Sequence, residues 1–165
     1  SHFEHLVYMA LSMIGHMPEI VIDSRLQYHL CVDGSYDERR DWEATWAFSC
    51  LASWNNDEFK YHGSVSGMVV TNPDDEFYAG TNMASGLAAE LNATLWAILW
   101  AISIALKFKA AGQTLSIMFH YDCTCSVGVA FALCSIVRSL AMVLMEVASV
   151  THQHVKGHVG QPWNT

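Results

Sequence analysis

A chain of 165 residues is most simply one domain, long enough to bury roughly 70% of the surface its unfolded form exposes. Hydrophobic residues make up 52% and charged residues only 15%, which excludes an intrinsically disordered chain. Eight Lys and Arg against sixteen Asp and Glu leave a net charge of −8, the wrong sign for capturing nucleic acid by bulk electrostatics, so a polyanion must be bound locally or through metal.

Segment 1–26 reads as a leader and linker, with the apolar patch Leu6-Val7-Tyr8-Met9-Ala10-Leu11 as a short helix before Pro18 and the polar Asp23-Ser24-Arg25. It has neither a basic start nor a cleavage site, so no signal peptide is expected and an intracellular location, cytoplasm or nucleus, is the default. From Gln27, Tyr28, Leu30 and Val32 alternate with His29, Cys31 and Asp33, the period of a strand, which Gly34-Ser35 should end in a turn. Strand-like runs at 43–53 and 58–70 flank Asn55-Asn56-Asp57, a polar cluster suited to a hairpin. An Ala- and Leu-rich helix is predicted over 85–108 as a crossover. Leu115, Ile117, Phe119 and Tyr121 alternate into a fourth strand that ends, like the first, on an aspartate, Asp122. A second helix over 126–147 and a last strand near 150–156 complete the order βββαβαβ. That order predicts an α/β fold with a five-stranded mixed sheet, an antiparallel meander followed by parallel strands reached through crossover helices.

Two apolar stretches raise the question of a membrane. The uncharged run between Glu90 and Lys107 falls short of the ~20 residues of a span, and the run 127–150 is interrupted by Arg138 and Glu146, so no membrane association is expected. The five cysteines, Cys31, Cys50, Cys123, Cys125 and Cys134, are an odd set without framework spacing and read as reduced thiols.

Asp33 and Asp122 close strands one and four, and ligands of open α/β sheets bind beyond such carboxyl ends. Glu90 is the only charge between Glu76 and Lys107, near the start of an apolar helix, and a buried carboxylate there needs a cation or a hydrogen-bond donor. Three carboxylates without evident basic partners suit a hard divalent cation, Mg2+ with Mn2+ as the alternative. The plainer reading is that each acid is separately solvated or caps a nearby backbone.

Four blocks resemble the ribonuclease H type 1 family: Val32-Asp33-Gly34-Ser35 at a strand end, Ala88-Ala89-Glu90-Leu91 with Ala93 on a helix, Phe119-His120-Tyr121-Asp122, and the segment from His154 to Asn164. The last, with Lys156-Gly157-His158-Val159-Gly160-Gln161-Pro162-Trp163, is the most specific, and together the blocks cover 27–164, the expected domain within 27–165. The resemblance implies two-metal hydrolysis of the RNA strand of RNA/DNA hybrids. Asp33 would bridge both ions, Glu90 and Asp122 would complete one ion's site, and His158 would assist proton transfer or product release. Gly34, Ser35, Lys156 and Asn164 are the implied substrate contacts, and the family's fourth aspartate is expected just past Thr165. The implied setting is a polyprotein with a reverse transcriptase. Without the fourth carboxylate, cleavage is expected to be weak. The alternative is a degenerate, non-catalytic module that binds nucleic acid or protein. Cys123 where the family commonly has serine, and the absence of an Asn-Asn pair ahead of Glu90, depart from the pattern.

Other features have rival readings. His152, His154 and His158 have the spacing of a zinc site, but the glycine-flanked His158 is better accounted for by the last block. Cys123 and Cys125 read as inert thiols rather than soft-metal ligands. Trp96 and Trp100, four apart among Leu95, Ile98, Leu99 and Ile102, read as core rather than a base-stacking platform. Trp163 is assigned equally to substrate and to packing. Arg39-Arg40 lie among Asp37, Glu38, Asp41 and Glu43, the pattern of a solvated turn. Lys107, Lys109 and Lys156 are better candidates for phosphate contacts.

Overall fold

The computed structural model describes residues 2–14, 20–37, 39, 43–55, 57–81, 83–121 and 131–154. Strands β1 (Gln27–Asp37), β2 (Glu43–Trp54) and β3 (Asp57–Met68) form an antiparallel meander, and β4 (Leu115–Tyr121) and β5 (Ala148–His154) extend it in parallel on the β1 side. The strand order is β3-β2-β1-β4-β5. Helix α2 (Gly86–Ala110) connects β3 to β4, α3 (Phe131–Val147) connects β4 to β5, and α1 (His2–Ile14) precedes the sheet. This is the predicted mixed sheet, an antiparallel meander followed by parallel strands reached through helices.

Alternation sorts the strands. Tyr28, Leu30 and Val32 of β1, Phe48 and Cys50 of β2, and Leu115, Ile117 and Phe119 of β4 are buried, and they belong to one core with α2. Helix α2 packs on β1, β2 and β4, and also on α1 and α3, so it is enclosed by protein from several sides. That enclosure accounts for a helix with no polar stripe. By length and composition α2 could cross a membrane, yet 83% of its most apolar window is buried within the fold. Trp96 and Trp100 are each 1% exposed, as expected for core residues. Trp96 stacks on Trp46 at 5.9 Å, and Trp100 meets Phe48 at 6.0 Å, which sets the rotation of α2 over the sheet.

Some boundaries differ from expectation. Gly34-Ser35 does not turn; β1 continues to Asp37 with Gly34 opposite Trp46 and Ser35 opposite Thr45. The reason is that β1 has two neighbours of unequal length: its pairing with β4 stops at Cys31↔His120, whereas β2 pairs with it to the end. The apolar patch in the leader is a 13-residue helix whose Leu6, Met9 and Ala10 join the main core. The hairpin falls where expected, with Trp54 paired to Asp57 and Asn55 in the left-handed region at φ 51°. Helix α3 is described from Phe131, and the residues before it lie outside the described set.

Candidate active site

Glu90 owes its position to the start of α2. Ser85, in extended conformation, caps the helix by accepting the Ala88 N–H through its hydroxyl at 3.0 Å. Asn92, 2% exposed, ties the same turn to the preceding loop, its amide donating to Thr81 Oγ1 at 2.9 Å and to the Ala88 carbonyl at 2.7 Å. Neither restraint is part of the sequence blocks, and both hold the turn that carries Glu90.

Gly34 brings this turn to the sheet. A Cβ built there would lie 2.4 Å from the Glu90 backbone nitrogen and 2.5 Å from the Ala89 carbonyl carbon, so helix and strand backbones touch where only glycine fits. The half-buried Glu90 carboxylate accepts the Gly34 N–H through Oε1 at 3.0 Å, the donor its burial required. That nitrogen is the one bonded to Asp33, so the Asp33 Cα lies no more than about 5.4 Å from the Glu90 oxygen by backbone dimensions. Asp33 itself is exposed. The Asp33 backbone and the Glu90 side chain therefore lie next to each other, where β1 passes the end of its pairing with β4.

The other assignments divide between placed and undescribed residues. Gly34 is a contact between backbones, and Ser35 is exposed on β1 beside it. Asp122 directly follows the last residue of β4, and it lies outside the described residues, as do His158, Lys156 and Asn164. Among the described residues no group of three His, Cys, Asp or Glu could hold a metal ion, and the proposed third ligand is not among them. Lys107 and Lys109 are exposed on the last turn of α2, about 25 Å along the helix axis from Glu90. The Arg39 side chain is exposed and pairs with Asp37 at 3.2 Å, as a solvated turn should.

Of the histidines considered for zinc, His152 is exposed and stacks on Phe119 at 5.9 Å, while the side chain of His154 and all of His158 lie outside the described residues. A different histidine pair is buried. His29 Nδ1 and His120 Nε2 share a hydrogen bond of 2.8 Å, and His29 Nε2 shares another of 2.8 Å with Ser53 Oγ. Burial lowers both imidazoles to about 4, and for His120 the charge of His29 adds to the effect. The signal for this pair was present only as histidines on two strands whose pairing was unknown. Cys31 and Cys50 are free thiols, and burial pushes the Cys31 thiol up to about 12. Cys123 and Cys125 lie outside the described residues.

No protein-family model and no curated protein matches this chain. Among solved structures, it is similar to the solution structure of the PFV RNase H domain, at 16% identity over 86% of this chain and 83% of that one, with a TM-score of 0.45. It is also similar to the native Prototype Foamy Virus Protease-Reverse Transcriptase, at 16% identity over 89% of this chain and 19% of that one, with a TM-score of 0.44.

Proposed function

We propose that this chain is a nuclease domain of the ribonuclease H type that hydrolyses the RNA strand of RNA/DNA hybrids. The observation that carries the reading is the Glu90 carboxylate seated on the Asp33–Gly34 peptide, which draws two acids distant in sequence to one end of β1. Their donors are hard carboxylate oxygens, the set that fits Mg2+ or Mn2+. Asp33, Glu90 and Asp122 would hold the metal, which when bound supplies an activated water and charge stabilisation for phosphodiester cleavage.

The chain's own residues have separate tasks in this reading. Gly34 fixes the spacing between helix and strand, its N–H orients Glu90, and Asp33 stays exposed toward substrate. His158 would move a proton during cleavage or release. Ser35, Lys156 and Asn164 would contact the hybrid, with the RNA strand selected through its 2′-hydroxyls and groove shape. Because the chain carries a net −8, metal would provide much of the attraction that a basic surface provides elsewhere. A retroelement polyprotein that also contains a reverse transcriptase is the setting we propose.

The test is Mg2+-dependent cleavage of a hybrid labelled on each strand. The wild type should cut only the RNA strand, and Asp33→Asn and Glu90→Gln should each lower the rate by about 10²- to 10³-fold, the scale of losing one transition-state charge stabiliser. Calorimetric Mg2+ binding should weaken in both variants. RNA cleavage that persists in both overturns the assignment, and hybrid binding without any Mg2+-dependent product supports a non-catalytic module instead.

A further inference from the structure

A cavity of about 360 Å³ lies at the β3 edge of the sheet, where the end of that strand meets α1 and the segment 70–77. Trp46, Trp96 and Phe77 give it aromatic walls, which Val65 and Val70 extend with aliphatic surface. The two indoles are stacked, and Phe77 meets Trp96 at 6.0 Å with an interplanar angle of 63°. The volume is more than twice the ~150 Å³ void that takes one benzene, room for about two fused rings.

Gly67, the partner of Trp46 across the β2 and β3 pairing, sets the place of the indole. A Cβ built on Gly67 would lie 2.8 Å from Trp46 Cζ2 and 3.1 Å from Nε1, so a methyl there would force the ring to shift. The nitrogen thus lies on the Gly67 side of the ring, and Gly67 lines the cavity, which puts the indole N–H at its wall. Trp46 is 4% exposed, yet no described residue accepts from that N–H. A buried tryptophan ordinarily has a partner for this hydrogen, because the indole nitrogen only donates. A ligand seated against Trp46 therefore needs an acceptor, which a cation without lone pairs lacks. The Asp75 carboxylate, also in the wall, repels an anionic acceptor. A neutral carbonyl meets both conditions, and apolar walls with a few placed polar groups are the ordinary composition of a small-molecule site. We infer that this cavity binds a neutral, flat carbonyl compound of about two fused rings, its oxygen accepting from Trp46 Nε1 and its rings against the aromatic walls. The inference is independent of the nuclease reading, since neither Asp33 nor Glu90 is among the described lining residues.

The test is 1H–15N NMR of protein carrying 15N-indole tryptophan, titrated with quinolin-2-one, a neutral bicyclic carbonyl compound. Quinoline-2-carboxylate is the anion of similar shape, and N-methylquinolinium is the cation without an acceptor. Trp46→Phe, Trp54→Phe and Trp100→Phe variants assign three of the signals. Quinolin-2-one should move the Trp46 N–H downfield saturably, the direction of a new hydrogen bond. It should leave in place Trp54, outside the cavity, and Trp100, whose Nε1 is sealed in the core without a partner. Both ions should bind at least about tenfold more weakly. Asp75→Asn, which keeps an acceptor for the Phe77 N–H, should bring the carboxylate within about threefold of the neutral compound and leave the cation weak. Gly67→Ala, which drives a methyl into the indole, should abolish the shift. No saturable Trp46 shift, equal affinity for the three compounds, or equal shifts at Trp46, Trp54 and Trp100 overturns the inference, whether or not the alanine variant folds.

Discussion

Gly34 has no room for a side chain, and the atoms that exclude one are backbone atoms of α2, which cannot rotate away. Gly34→Ala should therefore lift the helix from the strand and cost at least ~1–3 kcal/mol, the range for overpacking, as read from the urea midpoint. It should also displace Glu90, so hybrid cleavage should fall with stability; unchanged stability would mean that helix and strand do not touch here. The His29 and His120 pair makes a prediction about pH. Both rings are held near 4, below the ordinary 6.5, so their neutral forms are favoured by folding. The corresponding stability is full above 6.5 and declines as pH falls toward 4, because the unfolded chain takes up protons that the folded chain refuses. The first proton on the pair is worth on the order of 3 kcal/mol over that window. His62, also lowered mainly by burial and further by Lys60, acts in the same direction. Denaturant titrations from about pH 7 to 5 should show the decline, and His29→Leu with His120→Leu should flatten it.

Helix α2 is specified at both ends. Its C-terminal end is a Schellman motif: the Gly112 N–H donates to the Lys109 carbonyl at 3.0 Å and the Gln113 N–H to the Phe108 carbonyl at 2.9 Å, with Gly112 at φ 71°. A Cβ on Gly112 would meet nothing within 4 Å, so Gly112→Ala isolates the backbone conformation from packing. It should lower stability by about 1–2 kcal/mol without altering hybrid cleavage, since the site is at the other end of the helix. A thermal shift of a few degrees checks this, and a gain in stability would show that the motif does not form. The low polarity of α2, which in isolation suggests a membrane helix, follows from its neighbours on the sheet side and on the α1 and α3 sides.

At the scale of the molecule, α1 contributes to the same core as the sheet. Leu6 is 1% exposed and clusters with α2, so Leu6→Ala should cost ~2–5 kcal/mol in one cooperative unfolding transition. An α1 that behaves as an independent appendage would leave the main transition where it was. The element order and most strand bounds were legible because one face of each strand is buried and the side-chain period is two. The continuation of β1 through Gly34-Ser35 was not, because glycine there reads as a turn unless one knows that β2 pairs with it and α2 lies on it.

By itself the sequence determined the α/β class, the order of elements, and the core role of Trp96 and Trp100. These depend on periodicity and residue type, which are local. Only the tertiary structure decided that Gly34 lets two backbones touch, that Glu90 takes its donor from that peptide, that His29 and His120 share a hydrogen bond, and that a cavity opens where α1 and β3 meet the segment 70–77. Each of those joins residues more than fifty positions apart, and such contacts arise from strand register and helix seating, which hydrophobic patterning constrains without specifying.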